Sequence, residues 1–106
     1  MRIIVLFNLR ADADPADYEA WARARDLPSV RALPSVDDFT IHRATGLLGQ
    51  PGAKAPFDYV EVLDIADMDG FWTDVASSTS QAVAAEFRGW LAGEPVFITT
   101  DELGLA

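Results

Sequence analysis

Hydrophobic positions along the chain switch between two periods, and the switches delimit its elements. Ile3 to Leu9 is a short β-branched apolar run broken by Asn8, the pattern of a strand covered on both faces. Asp14 and Pro15 then open a helix, with Asp14 as N-cap, Pro15 at the first helical position and Asp17 in the first turn. Tyr18, Trp21, Ala22 and Arg25 follow at i, i+3, i+4 and i+7, an amphipathic stripe. Pro28 is expected to end this helix, leaving room for one more turn from Ser29 to Leu33 before Pro34. Alternation returns from Val36 to Thr45, a second strand that carries His42, the only histidine.

Gly46 to Pro56 is a Gly/Pro-rich connection. It is not a phosphate loop, because Lys54 follows an alanine, no Ser or Thr comes after it, and a strand comes next. Phe57 to Ile65 is the third strand. Asp67 or Asp69 caps a helical region with Phe71, Trp72 and Val75 on one face, and Ser77 to Ser80 is a cluster that breaks and restarts a helix. Val83, Phe87, Trp90 and Leu91 continue at helical spacing until Gly93 and Pro95 close the element. Val96 to Thr100 is the last strand, with a possible reach to Leu103. The order β-α-β-β-α-β predicts a ferredoxin-like α+β fold: a four-stranded antiparallel sheet with its helices on one face. One domain over residues 1–106 is expected, without repeats or linkers.

A strand's period of two assigns its side chains to opposite faces. Ile3, Val5, Phe7 and Leu9, Phe39 with Ile41, and Val60 with Val62 are apolar sets suited to the helix side. The opposite set is Ile4, Leu6 and Asn8, Thr40 and His42, then Phe57, Tyr59, Glu61 and Leu63, and finally Phe97, Thr99 and Asp101. This set is too apolar for a solvated face and too polar for a plain core, which suits a cavity. Two such sheets facing each other across a two-fold axis enclose one, so a homodimeric α+β barrel is expected.

Composition narrows the partners. The net charge is −9, and from Pro56 onward ten Asp and Glu stand against a lone Arg88. Such a surface repels nucleic acid, anionic lipid and polyanionic substrates. With no cysteine there is no disulfide, thiolate metal site or Cys nucleophile. The apolar N-terminal run is too short for a signal peptide, and no apolar run approaches the ~20 residues that span a bilayer. A cytoplasmic protein is the expectation.

The sharpest chemical pair is His42 and Glu61: on neighbouring strands the carboxylate orients a general acid/base imidazole. The competing reading is a structural pair at a dimer seam. Tyr59 and Asn8 are candidate hydrogen-bond donors to a ligand, or else satisfied core polar groups, and Thr40, Phe97 and Thr99 complete the candidate substrate-binding set. The three Trp fit helix packing better than a ligand clamp. Arg10, Arg25, Arg31 and Arg43 pair with carboxylates, or one of them binds a substrate carboxylate at the cavity mouth. No metal set and no flavin, nicotinamide or nucleotide fingerprint is present in the sequence, so no cofactor is expected.

Asp14-Pro15-Ala16-Asp17-Tyr18-Glu19-Ala20-Trp21, then Asp26-Leu27-Pro28-Ser29-Val30, Phe39-Thr40-Ile41-His42-Arg43 and Phe57-Asp58-Tyr59-Val60-Glu61-Val62 resemble the REDY-like/HapK family over most of the chain. The resemblance implies a dimeric α+β barrel and a place in secondary metabolism, including pathways to prodiginine-type pyrrole pigments. It supplies no catalytic motif to carry over. The expected function is cofactor-free acid/base assistance to condensation, cyclisation or rearrangement of a small neutral aromatic or heteroaromatic metabolite. The alternatives are a non-catalytic metabolite-binding module and a cofactor-independent monooxygenase.

Overall fold

The computed structural model describes residues 1–104, and the last two positions of the expected 1–106 unit lie outside the described residues. Four strands, β1 (Arg2–Phe7), β2 (Val36–Arg43), β3 (Tyr59–Ile65) and β4 (Val96–Thr100), form one antiparallel sheet in the order β2-β3-β1-β4. This is the ferredoxin-like arrangement expected from the element order. Each helix start is built by the residues that predicted it. Asp14 accepts from the amide of Ala16 at α1 (Pro15–Trp21), Asp67 from that of Gly70 at α3 (Met68–Val75), and Ser77 from that of Ser80 at α4 (Ser78–Gly89). Beyond α4, Gly93 adopts φ 76°, a conformation that costs a residue with a Cβ. Among the described residues no helix is long and apolar enough to cross a membrane.

Pro28 does not end the first helix. Between α1 and α2 (Leu27–Arg31) the backbone widens into a π-helical turn, Ala22–Asp26, in which the amide of Leu27 reaches the carbonyl of Ala22. Proline has no N–H to bond one turn back, and its ring crowds that turn's carbonyl. The wider turn just before Pro28 absorbs both problems and lets the helix run on to Arg31. It also decides which residues face inward. Tyr18, Ala22 and Asp26 are buried, whereas Arg25, expected on the inner stripe, pairs with Glu86 at 2.9 Å.

Strand register corrects the expected faces in one half of the sheet. Residues directly opposite in an antiparallel sheet share a face. One row across the sheet is Ile41, Glu61, Val5 and Phe97, the next is Phe39, Leu63, Ile3 and Thr99, and both face the helices. The far side carries His42, Val60, Leu6 and Val96 in one row and Thr40, Val62, Ile4 and Ile98 in the next. The expected faces hold for β1 and β2. In β3 and β4 they are reversed: Tyr59, Glu61 and Leu63 point at the helices with Phe97 and Thr99, while Val60 and Val62 point away. The cause is that both alternate sets of β3 are largely apolar, each with one acid, Glu61 in one and Asp64 in the other. The space beneath the helices takes the larger side chains, Tyr59, Leu63 and Ile65, and leaves the two valines on the far face.

The core lies between sheet and helices, where Phe7, Tyr18 and Phe39 are the largest fully buried side chains. Phe7 stacks on Tyr59 and meets Tyr18 and Phe87 edge-on. Tyr59 also donates to Glu19 Oε2 at 2.7 Å, and Arg43 grips the same carboxylate through its Nε. Arg43, then Tyr59, pull the Glu19 carboxyl down to about 2. Tyr59→Phe keeps the ring packing and removes one charge-assisted bond. It is expected to cost about 1–2 kcal/mol in denaturant unfolding at pH 7. The loss should shrink as pH falls toward about 2, where Glu19 protonates in the folded protein.

Candidate functional site

Beneath the π-helical turn the helices stand off the sheet and leave a cavity of about 180 Å³, lined largely by apolar side chains such as Val30, Phe39, Leu63 and Val83. Two carboxyls face it, Asp26 from the turn and Glu61 from the middle of β3, and both are buried, at 5% and 4% exposure. Neither has a hydrogen-bond donor among the described residues; burial alone acts on Asp26, and burial plus the charge of Asp26 acts on Glu61. Burial lifts Asp26 to about 6 and Glu61 well above the ordinary carboxyl range. Both carboxyls therefore hold their protons more tightly than exposed ones do, Asp26 titrating at about 6.

A third buried group lies outside the cavity lining but feels the charge of both acids. The Tyr18 hydroxyl is buried with no partner, and burial, then the charges of Glu61 and Asp26, push its pKa up. Buried polar groups are normally paired. The two cavity carboxyls and the Tyr18 hydroxyl, which lies outside the cavity lining, cost stability as unpaired buried groups, a cost that functional sites commonly carry.

The sequence-derived candidates divide. Glu61 and Phe97 line this cavity, and Tyr59 and Thr99 share its sheet face, Tyr59 being committed to Glu19. His42 and Thr40 sit on the far face, where the His42 ring bonds Thr40 Oγ1 at 2.9 Å. The expected His42–Glu61 pair is therefore absent: the residue opposite His42 is Val60, and the sheet separates the two side chains. Asn8 holds the connection before β3, accepting from the Asp58 amide at 2.9 Å and donating to the Pro56 carbonyl at 3.3 Å. Asp26 was missed. Its signal is the spacing 18, 22, 26, which continues the buried face of the helix one position beyond the Tyr18, Trp21, Ala22, Arg25 stripe.

Over residues 1–103 the chain matches the family described as REDY-like protein HapK. The chain belongs to the HapK family. HapK itself, from Hahella chejuensis, is similar at 30% identity, with a TM-score of 0.72 and coverage of 100% of this chain and 98% of that one. Two further solved structures share the HapK-like fold. One is a dimeric ferredoxin-like protein of unknown function from Thermobifida fusca, at 24% identity, TM-score 0.69 and coverage of 92% and 85%. The other is a mutant of SnoaB, a cofactor-independent oxygenase from Streptomyces nogalater, at 18% identity, TM-score 0.72 and coverage of 99% and 96%. No curated protein matches the chain.

Proposed function

We propose that this HapK-family protein binds a small aromatic or heteroaromatic metabolite between its sheet and helices and moves protons on it, assisting a condensation, cyclisation or rearrangement. The observation that carries the reading is the pair of donorless carboxyls facing an apolar cavity. An apolar cavity of about 150 Å³ is large enough for benzene, so about 180 Å³ suits one substituted ring. Two carboxyls raised by burial can supply acid and base in one site. In this reading Glu61, its carboxyl raised well above the ordinary range, donates to a carbonyl oxygen or leaving group, and Asp26 accepts from carbon or nitrogen. Only proton transfers are needed, so the reading invokes no cofactor.

Acetophenone is a suitable probe, because exchange of its methyl protons in D2O needs the same acid and base. The wild type is expected to accelerate this exchange. Glu61→Gln and Asp26→Asn should each lose about 10²-fold or more of the acceleration, and His42→Ala should keep it within about twofold. No acceleration, or full acceleration in Glu61→Gln, would sink the acid/base role. Binding without exchange would point to a module that only holds its ligand.

A second copy of the chain is the proposed partner. Ile4, Leu6, Val60, Val62, Val96 and Ile98 form an apolar far face that no helix covers, with Val96 and Ile98 more than 40% exposed. Soluble monomers rarely leave such a contiguous patch open. In this arrangement His42 sits at the seam between copies, without the Glu61 partner that the competing structural reading gave it.

A further inference from the structure

The rim of the cavity carries a charge that the fold does not use. Ser80, Val83, Ala84, Phe87 and Arg88 line it from α4 at i, i+3, i+4, i+7 and i+8, which places Arg88 at the end of the inward stripe. Every other arginine has an acceptor. Arg2 bonds Asp64, Arg10 bonds Asp12, Arg23 and Arg43 bond Glu19, Arg25 bonds Glu86, and Arg31 bonds the Phe39 carbonyl. Arg88 has none among the described residues, in a chain with 17 Asp and Glu. Phe97 lines the same cavity from the edge strand and remains 59% exposed, which is unusual for a large aromatic.

Building on the proposed cavity site, we propose that its ligand is a monoanionic aryl carboxylate, with the carboxylate on Arg88 and the ring running inward past Phe97 toward Asp26 and Glu61. A guanidinium presents paired donors that match the two oxygens of a carboxylate. The inner end of the cavity already holds two acids, so an anionic group is repelled there and attracted at the rim. The ligand is thereby oriented, with its uncharged reactive end delivered to the proton-transfer pair. This replaces the expected neutral ligand with a singly charged one. The chain's overall negative charge does not prevent it, because at physiological salt charges more than about 8 Å away are largely screened and the contact with Arg88 dominates.

The test compares benzoate and phenylacetate with their neutral amides, benzamide and phenylacetamide, by NMR titration at pH 7. The wild type is expected to bind each acid about tenfold more tightly than its amide, the size of one charge-assisted pair at an exposed rim. Arg88→Gln should erase that preference while keeping amide affinity within about twofold, and Arg88→Lys should keep part of it. Glu61→Gln should leave the preference in place. Equal binding of acids and amides by the wild type, or a preference that survives Arg88→Gln, overturns this inference and leaves the cavity reading standing. If neither acids nor amides shift the resonances of Leu63 and Val83, both fall together.

Discussion

Asp26→Asn is expected to remove from the pH profile of folding stability the share that comes from this one group, a loss of roughly 3 kcal/mol in the wild type between about pH 4 and 7. The ordinary Asp value is 3.8, and burial raises Asp26 to about 6. Between those values the unfolded chain has given up the proton that the folded chain still holds. Stability is therefore complete below the unfolded value and falls as pH rises through the folded one. Glu61 acts in the same direction, and its variant Glu61→Gln should flatten the profile further at higher pH. Glu19 and Asp64 act in the opposite sense, since their lowered values contribute stability that is lost only as the medium turns acid. The difference between wild type and variant isolates the cavity pair from them. Urea unfolding at several pH values measures it, and a wild-type curve that rises from pH 5 to 8 in parallel with the variant's would refute the buried, donorless state of Asp26. Together with the expected loss of proton transfer, this result would mark the proposed site as one where stability is given up for chemistry.

Leu6→Asp is expected to weaken self-association by about 10³-fold or more, because it would bury a carboxylate among the apolar side chains of the proposed seam. Leu6 lies on the central strand, in the row formed by His42, Val60, Leu6 and Val96 on the open face of the sheet. The wild type should sediment at twice the 11.5 kDa chain mass, and added salt should tighten the dimer by screening two chains of charge −9. Val62→Lys is the companion variant, with the opposite charge on the neighbouring row. Circular dichroism on both variants shows whether the fold persists, since each change is on the far face from the core. A wild-type monomer at micromolar concentration, or a Leu6→Asp protein that stays dimeric, would remove the proposed partner.

What the sequence determined by itself was local. The three N-caps, the restart at Ser77, the closing Gly93 and the order of strands and helices each depend on side chains within a few residues of the backbone groups they satisfy. The inner faces of β1 and β2 were equally legible, because in each strand one alternate set is plainly the more apolar. The motifs that resemble the HapK family were legible as well.

Tertiary structure decided the rest. Both alternate sets of β3 are largely apolar, so a period of two divides the strand without saying which half is inside. The hydrogen-bonding register against β1 and β2, and the room beneath the helices, made that choice. One choice sent Glu61 and His42 to opposite faces. Asp26 entered the site for a similar reason. Its burial depends on a π-helical turn that lets the helix pass Pro28, and local preference at Pro28 alone argues for a break. Chain-local chemistry fixed where the elements begin and end, while the contacts between distant segments determined which carboxyls share a cavity and which guanidinium stands at its rim.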